Sequence, residues 1–387
     1  MTSGHPAPVL PGATIGVLGG GQLGRMLAIA ARRLGYGVWV WSPDASSPAF
    51  AVADRAICAP YDDHDAFEAI AAGVAVVALE FENLPVATLE RLDERVPVRP
   101  GPALLALTSH RLREKRFLER IGVRIAPFES VADEGEFDEA LRRLGAPAVL
   151  KTVEFGYDGK GQVRIDGPAD HDAAHALLRT GACVLERHVD LALEISVVVA
   201  RALDDTVVVY PPFENAHAAR VLDVSVVPAR VSPGIAAEAV AIATRVAHAL
   251  DLVGLACVEL FVTRAGELLV NEIAPRPHNS GHVTLEAVET DQFEQQLRAV
   301  CGLPLGGVGL RSPGAMANLL GDLWEGGTPD WARALSEPGV HLHLYGKAEA
   351  RTGRKMGHLS VLDVDPDGAE RRVRSARGAL TRARREA

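Results

Sequence analysis

Over its first hundred residues the chain switches again and again between short β-rich runs and amphipathic helical stretches, and few architectures accept that order. "ATIGVL" (13–18), "YGVWVWS" (36–42), "DRAICAP" (54–60) and "VAVVALE" (74–80) read as strands. "QLGRMLAIAARRLG" (22–35), "HDAFEAIAAG" (64–73) and "VATLERLDE" (86–94) read as helices, with Leu23, Leu27 and Ala30 on one face of the first. Strands that alternate with helices pair in parallel through crossovers, which predicts a doubly wound α/β sheet with helices on both faces. "VPVRPGPAL" (96–104), with its prolines and glycine, marks the exit from this Rossmann-like unit, set at residues 1–108.

From Ser109 the pattern becomes α+β. "SHRLREKRFLERIG" (109–122) is a basic helix carrying Arg111, Arg113, Lys115, Arg116 and Arg120. A helix through "EFDEALRRLG" (136–145), the strand "AVLKTV" (148–153), a glycine-rich loop (154–165), a helix near 170–180 and the strand "CVLERHV" (183–189) complete a small unit, 109–190. The remainder, 191–387, has antiparallel signals: strands at 193–202, 206–213 and 221–230, a long helix at 235–251, and two strands within 255–276 joined by a turn. A helix from Thr284 to Val300 and strands at 341–346 and 357–362 follow, and the arginine-rich 370–387 reads as a solvated terminal helix.

A formal charge of -10 argues against non-specific nucleic-acid binding, since a phosphate backbone rewards a positive excess. Cys58, Cys183, Cys257 and Cys301 are far apart with no CxxC pair, which suits reduced thiols in a cytoplasm and excludes a disulfide framework or a cysteine zinc site. No signal peptide and no membrane-spanning apolar run is evident, so a soluble cytoplasmic protein with no membrane partner is expected.

Gly19, Gly21 and Gly24 form GxGxxG after the first strand, and Asp44 stands 20 residues beyond Gly24. Three uses fit: a dinucleotide site, a bare tight turn, or a helix N-terminus that receives another phosphate-bearing or polar ligand. Further on, Glu259 and Glu272 each lie inside an apolar strand, where an ionised group is costly unless paired or bound to a cation. A hairpin aims both at one place, and Asn271 adds an oxygen, a donor set suited to Mg²⁺ on a nucleotide; pairing with arginines such as Arg276 is the alternative. Lys151 ends a strand, where it can reach phosphates, and "GYDGKG" (156–161) can fold amides and the Lys160 ammonium over a triphosphate, though an ordinary glycine-rich hairpin reads the same way. Glu186 leads into a linker and Glu194 lies eight residues on, in reach of ribose hydroxyls.

Lysine at a strand end, glycine loop, "VLERHV", "LEIS" and "VEL…VNEIAPR", in that order, resemble the ATP-grasp superfamily. Within it, "GGGQLGRM", "LEFENLP", "GYDGKGQ", "NEIAPRPHNSGH" and "GRKMGHL" resemble the 5-(carboxyamino)imidazole ribonucleotide synthetase family of purine biosynthesis, from about Thr14 to Leu362. The resemblance implies an ATP-grasp fold behind a Rossmann-like, biotin carboxylase-like parallel domain. It implies ATP- and bicarbonate-dependent carboxylation of 5-aminoimidazole ribonucleotide through carboxyphosphate, with Mg²⁺ or Mn²⁺ as cofactor and a homodimer as the assembly.

Carried over residue by residue, it implies ATP contacts at Arg111, Lys151, Gly156, Tyr157, Asp158, Gly159, Lys160, Gly161, Gln162, Glu186, Arg187, His188, Val189, Glu194, His217, Asn271 and Glu272. Glu259 and Glu272 resemble the metal ligands. The ribonucleotide falls to Gln22, Leu23, Glu80, Glu82, Asn83, Tyr157, Asn279 and Ser280, and its 5′-phosphate to Lys347, Arg354 and Lys355. Asp158, Arg276, His278 and Lys355 resemble the catalytic set, Asp158 orienting the amine or taking its proton. Another ATP-grasp ligase, formate-using or biotin carboxylase-like, is the alternative, and the dozen residues before Ala13 look like an unstructured extension.

Overall fold

The structure, a computed structural model, describes residues 6–154 and 161–382. The first sheet comprises β1 (Thr14–Leu18), β2 (Gly37–Ser42), β3 (Arg55–Cys58), β4 (Val76–Leu79) and β5 (Val98–Arg99), all parallel, in the order β3-β2-β1-β4-β5. Helices α1 (Gln22–Arg33), α2 (His64–Gly73), α3 (Val86–Asp93) and α4 (Pro102–Thr108) connect and cover it. The strand order turns back between β1 and β4, so a crevice opens beyond their carboxyl ends, where ligands of such sheets bind. Glycine loop 19–21 and Glu80 lie there. Leu27 and Ala30 of α1 are buried against Val17, Val38 and Val40, and a buried leucine or valine side chain contributes about 1.5–3 kcal/mol.

The small sheet is antiparallel: β6 (Phe128–Val131), β7 (Ala148–Thr152), β8 (Gln162–Ile165) and β9 (Cys183–Arg187), ordered β6-β9-β7-β8. Helix α5 (Arg111–Arg120) precedes it, while α6 (Glu134–Leu144) and α7 (His171–Leu178) bury Phe137, Ala140 and Ala174 on one face. The large sheet holds β10 (Leu191–Arg201), β11 (Val207–Val209), β12 (Phe213–Ala218), β13 (Val221–Val227), β14 (Gly254–Thr263), β15 (Leu268–Ala274), β16 (Gly314–Leu320), β17 (Val340–Leu344) and β18 (Lys355–Leu362). Its order is β15-β14-β10-β12-β13-β16-β18-β17, with β11 pairing β10. Helices α8 (Pro233–Ala249), α9 (Thr284–Ala287), α10 (Gln292–Cys301), α11 (Trp331–Leu335) and α12 (Pro366–Arg382) complete the chain, and α10 packs on α1 through Phe293, Leu297 and Val300.

Four sequence expectations change. The helix expected over 284–300 is two: Val288 is extended and bridges Leu310, and Asp291 restarts the helix by accepting from the amides of Phe293 and Glu294 at 2.9 and 3.0 Å. The described part of the arginine-rich end is packed, not solvated. Ala369, Val373, Ala376 and Leu380 of α12 are buried at helical spacing among Leu319, Leu359 and Val361, and Arg374 and Arg377 reach Asp223 at 2.8 and 2.5 Å. The described part of the N-terminal extension is pinned too: the Val9 amide donates to Cys301 and its carbonyl accepts from Tyr36 Oη at 2.6 Å. Finally, β12 and β16 are strands that the sequence reading passed over, both central in the large sheet.

Candidate functional site

The glycine loop closes over a carboxylate of the chain itself. Glu80, the residue after β4 and 7% exposed, accepts from the Gly21 amide at 2.5 Å and the Leu23 amide at 3.1 Å. Burial raises its pKa, against the pull of the Gly21, Gly24 and Leu23 amides. The helix N-terminus that would receive a dinucleotide pyrophosphate is therefore already satisfied. Two glycines are required for the fit: a Cβ on Gly19 (φ +109°) would stand 2.5 Å from the Glu80 Cβ, and one on Gly24 would stand 2.6 Å from the Gly19 carbonyl oxygen. Glu80 supports the loop from beneath, and Leu23 buries its side chain in the core of the first sheet. Both residues, expected at the ribonucleotide, thus also support the loop from within the chain. Asp44 turns to Ser46, whose hydrogen bonds hold its carboxyl below the usual range.

Gln22 remains partly exposed at the crevice, and its Oε1 accepts from Lys347 Nζ at 2.8 Å; the same ammonium donates to the Lys355 carbonyl at 2.6 Å. Lys347 thus joins the loop after β1 to β18, which starts at Lys355. Arg354 donates to the Glu349 carbonyl at 3.0 Å. Beside them lies a column buried except at its half-exposed end, His343, which stacks on His358 (4.5 Å, 15°); His358 stacks on His282 (4.9 Å, 24°), and Tyr345 Oη meets His358 Nδ1 at 2.8 Å. Burial holds His282 and His358 well below the usual imidazole range.

A second cleft lies between the small and large sheets. Lys151 Nζ, on β7, donates to Glu186 Oε2 on β9 at 3.1 Å, and Lys115 Nζ, on α5, lies 3.1 Å from the same oxygen. Burial raises Glu186, but Lys151, Lys115 and Arg111 outweigh it and hold the carboxyl down at about 2. Arg111 crosses the cleft: its amide donates to Val153, its Nε to the Thr152 carbonyl, and its Nη1 to Glu272 Oε2 at 3.3 Å. Among the expected linker residues, the Arg187 side chain turns away to the Leu144 carbonyl and His188 Nε2 faces Arg164 at 3.0 Å. Val189 is half-buried.

Glu259 and Glu272 are direct partners across β14 and β15, as the hairpin predicts. A bulge follows, because Leu260 pairs with Val270 and leaves Asn271 as the extra residue beside Glu272. The alternative, pairing with arginines, holds for Glu272 through Arg111, while among the described residues Arg276 pairs with neither glutamate of the hairpin. Glu259 Oε1 lies 3.0 Å from His278 Nε2, Glu272 takes Arg111, and Arg276 makes a two-point pair with Glu82 at 2.6 and 3.1 Å. Burial raises Glu272, as does the facing Glu259; His278 instead holds Glu259 well below the carboxylate range against burial. Burial pulls His278 down, but Cys257 and Glu259 hold it up at about 10. His278 Nδ1 meets Ser280 Oγ at 2.8 Å, which meets Ser196 Oγ at 2.7 Å, which accepts from Asn215 Nδ2 at 2.8 Å. Glu194 Oε2 and His217 Nδ1 face each other at 3.1 Å on adjacent strands β10 and β12.

Asn271 Oδ1 and both side-chain polar atoms of Asn279 are buried with no hydrogen-bond partner among the described residues, as are Glu186 Oε1 and Lys115 Nζ in the cleft. An orphaned amide oxygen next to two carboxylates is a hard donor set, so the residues fit Mg²⁺. Asn83 is half-buried near Glu82. Gly161 and Gln162 are described; Gly156, Tyr157, Asp158, Gly159 and Lys160 lie outside the described residues. Glu114, Ser196, Asn215 and the histidine column were not singled out from the sequence. Glu114 and Lys115 were legible through i, i+3, i+4 spacing from Arg111; Ser196 and Asn215 had no signal before the sheet order was known.

Comparison with known proteins covers the chain nearly end to end. The ribonucleotide synthetase preATP-grasp domain matches residues 12–109, the ATP-grasp domain residues 116–293, and the phosphoribosylaminoimidazole carboxylase C-terminal domain residues 314–372. The N5-carboxyaminoimidazole ribonucleotide synthase of Bacillus subtilis is 45% identical over 359 residues, covering 93% of this chain and 94% of its own. That of Brucella melitensis is 45% identical over 352 residues, 90% of this chain and 96% of its own. Among solved structures, an ADP complex of N5-carboxyaminoimidazole ribonucleotide synthetase superposes with TM-score 0.92 at 42% identity, over 97% of this chain and 98% of its own. The Aspergillus clavatus enzyme with ADP and 5-aminoimidazole ribonucleotide gives TM-score 0.87 at 30% identity, over 96% and 99%.

Proposed function

Because the chain belongs to the N5-carboxyaminoimidazole ribonucleotide synthase family, we propose that it uses ATP and bicarbonate to carboxylate the exocyclic amine of 5-aminoimidazole ribonucleotide. The observation that carries this reading is the Glu82–Arg276 pair, which ties the loop after β4 to the end of the Glu259–Glu272 hairpin. The crevice of the parallel sheet and the cleft between the two antiparallel sheets then open on one reacting centre, so an activated acid made in one meets an amine held in the other.

In this reading the triphosphate lies along Lys151, Arg111 and the loop 156–162, with the linker 186–189 at the base and Glu194 and His217 at the ribose. Glu259, Glu272 and Asn271 would hold Mg²⁺, which supplies charge neutralisation at the transferring phosphoryl group. A bicarbonate oxygen attacks the γ-phosphorus, the bond to ADP breaks, and carboxyphosphate forms; Arg276 and His278, both cationic, face its new negative charge. Carboxyphosphate splits into CO₂ and phosphate, and the amine nitrogen adds to the carbon while Asp158 orients it or takes its proton. Gln22, Asn83, Asn279 and Ser280 line the ribonucleotide, and Lys347, Arg354 and Lys355 meet its 5′-phosphate.

The division at 1–108, 109–190 and 191–387 belongs to the same reading, one sheet to each unit. So do a homodimer and a cytoplasmic site; no helix among the described residues is long and apolar enough to cross a membrane. The test is ADP release with and without 5-aminoimidazole ribonucleotide and bicarbonate. Release should need both, and indifference to the ribonucleotide would end the proposal.

A further inference from the structure

One face of α5 touches three strands that belong to two sheets. Arg111, Glu114 and Lys115 stand at i, i+3 and i+4, the spacing that gathers side chains on one side of a helix. Arg111 reaches the end of β7 and Glu272 on β15, and Lys115 reaches Glu186 on β9. Glu114 lies between them, 2% exposed, and its Oε1 accepts the Ile273 amide at 2.6 Å.

That bond matters because β15 is the edge of the large sheet: it pairs with β14 on one side, and on the other Val270 makes a single bridge with Ile125. A buried edge amide that faces away from its sheet needs another acceptor. Val270 finds one in the Arg124 carbonyl at 2.8 Å, and Ile273 finds one in Glu114. Asn271 and Glu272, the bulged residues assigned to the nucleotide and its metal, lie between these two anchors.

We propose that Glu114 is a positioning residue of the nucleotide site, fixing the bulged edge of β15, and with it Asn271 and Glu272, against the helix that carries Arg111 and Lys115. The inference rests on the reading of this cleft as a nucleotide and metal site, which Glu114 itself does not touch. What the geometry asks of Glu114 is an acceptor at Oε1, not a charge, so an amide serves and a hydrocarbon does not.

The test compares Glu114→Gln and Glu114→Leu in the full chain. Calorimetry reads binding of ADP with Mg²⁺, steady-state kinetics reads the two KM values, and hydrogen exchange reads β15. Glu114→Gln should match the parent in all three. Glu114→Leu should bind ADP with Mg²⁺ about tenfold more weakly, raise the KM for ATP in proportion, leave the KM for the ribonucleotide unchanged, and speed exchange at Ile273. A general loosening would instead move both KM values and exchange in other strands.

Parent-like ADP affinity in Glu114→Leu would overturn the proposal, and so would a Glu114→Gln protein as impaired as the leucine variant. Should the leucine variant not fold, the glutamine variant decides: weakened ADP binding refutes an acceptor role, and parent-like binding supports it. A parent protein that fails to bind ADP with Mg²⁺ removes the nucleotide reading itself, an outcome distinct from either.

Discussion

Replacing Glu82 by Gln should damage catalysis more than stability. Glu82 meets Arg276 through two bonds, Nε to Oε2 at 2.6 Å and Nη2 to Oε1 at 3.1 Å, with side chains 24% and 19% exposed. Breaking a fully buried ion pair from one side costs about 3–5 kcal/mol, while an exposed pair is worth under about 1 kcal/mol. At this partial exposure the loss is about 2–3 kcal/mol. Glutamine keeps one acceptor, so about half of that should appear as lost stability in urea. Arg276, no longer held by its fork, loses its aim at the reacting centre, and kcat should fall by about 2 kcal/mol, roughly 30-fold.

The pH dependence carries a definite sign. Burial raises Glu82, but Arg276 outweighs it and the folded-state pKa lies below the ordinary 4.5. A depressed carboxyl contributes stability above the unfolded value and loses it as pH falls through the folded one, so the parent should lose its advantage over Glu82→Gln on the acid side of 4.5. A double-mutant cycle with Arg276→Met isolates the pair. Coupling within about 0.5 kcal/mol of zero, together with unchanged kcat, would refute the argument.

Three further outcomes follow from local geometry. Gly24→Ala places a Cβ 2.6 Å from the Gly19 carbonyl, which should cost about 1–3 kcal/mol in urea and raise the KM for the ribonucleotide, with the KM for ATP unmoved. Asp223→Asn removes the shared partner of Arg374 and Arg377; limited proteolysis should release the C-terminal helix sooner, at about 1 kcal/mol of stability and with kcat intact. Glu259→Gln should weaken Mg²⁺-dependent ADP binding in calorimetry, and unchanged binding would strike Glu259 from the metal set.

Much of the fold was legible because periodicity in this sequence is clean. The alternating strands and helices of the first hundred residues give the parallel sheet, and "VELFVTRAGELLVNE" gives the hairpin that sets Glu259 opposite Glu272. Where the reading failed, a tertiary partner outweighed a local pattern. Seven arginines in 370–387 suggested solvent, but the apolar stripe Ala369, Val373, Ala376 and Leu380 and the acceptor Asp223, about 150 residues away in sequence, decide the packing. Leu23 and Glu80 sit in motifs that suggest ligand contact, and their part in holding the loop, a second role, could not be read from the motif. His278 was expected at the reacting centre; its chain through Ser280, Ser196 and Asn215 could not be read, since it depends on β10 lying beside β12.

In the proposed reaction the γ-phosphoryl group passes to bicarbonate before any carbon–nitrogen bond forms. Turnover with ¹⁸O-labelled bicarbonate and analysis of the phosphate by mass spectrometry tests it most directly. The phosphate should carry a single oxygen from bicarbonate and form together with ADP and the carboxylated ribonucleotide. Unlabelled phosphate accompanying the same product would contradict it.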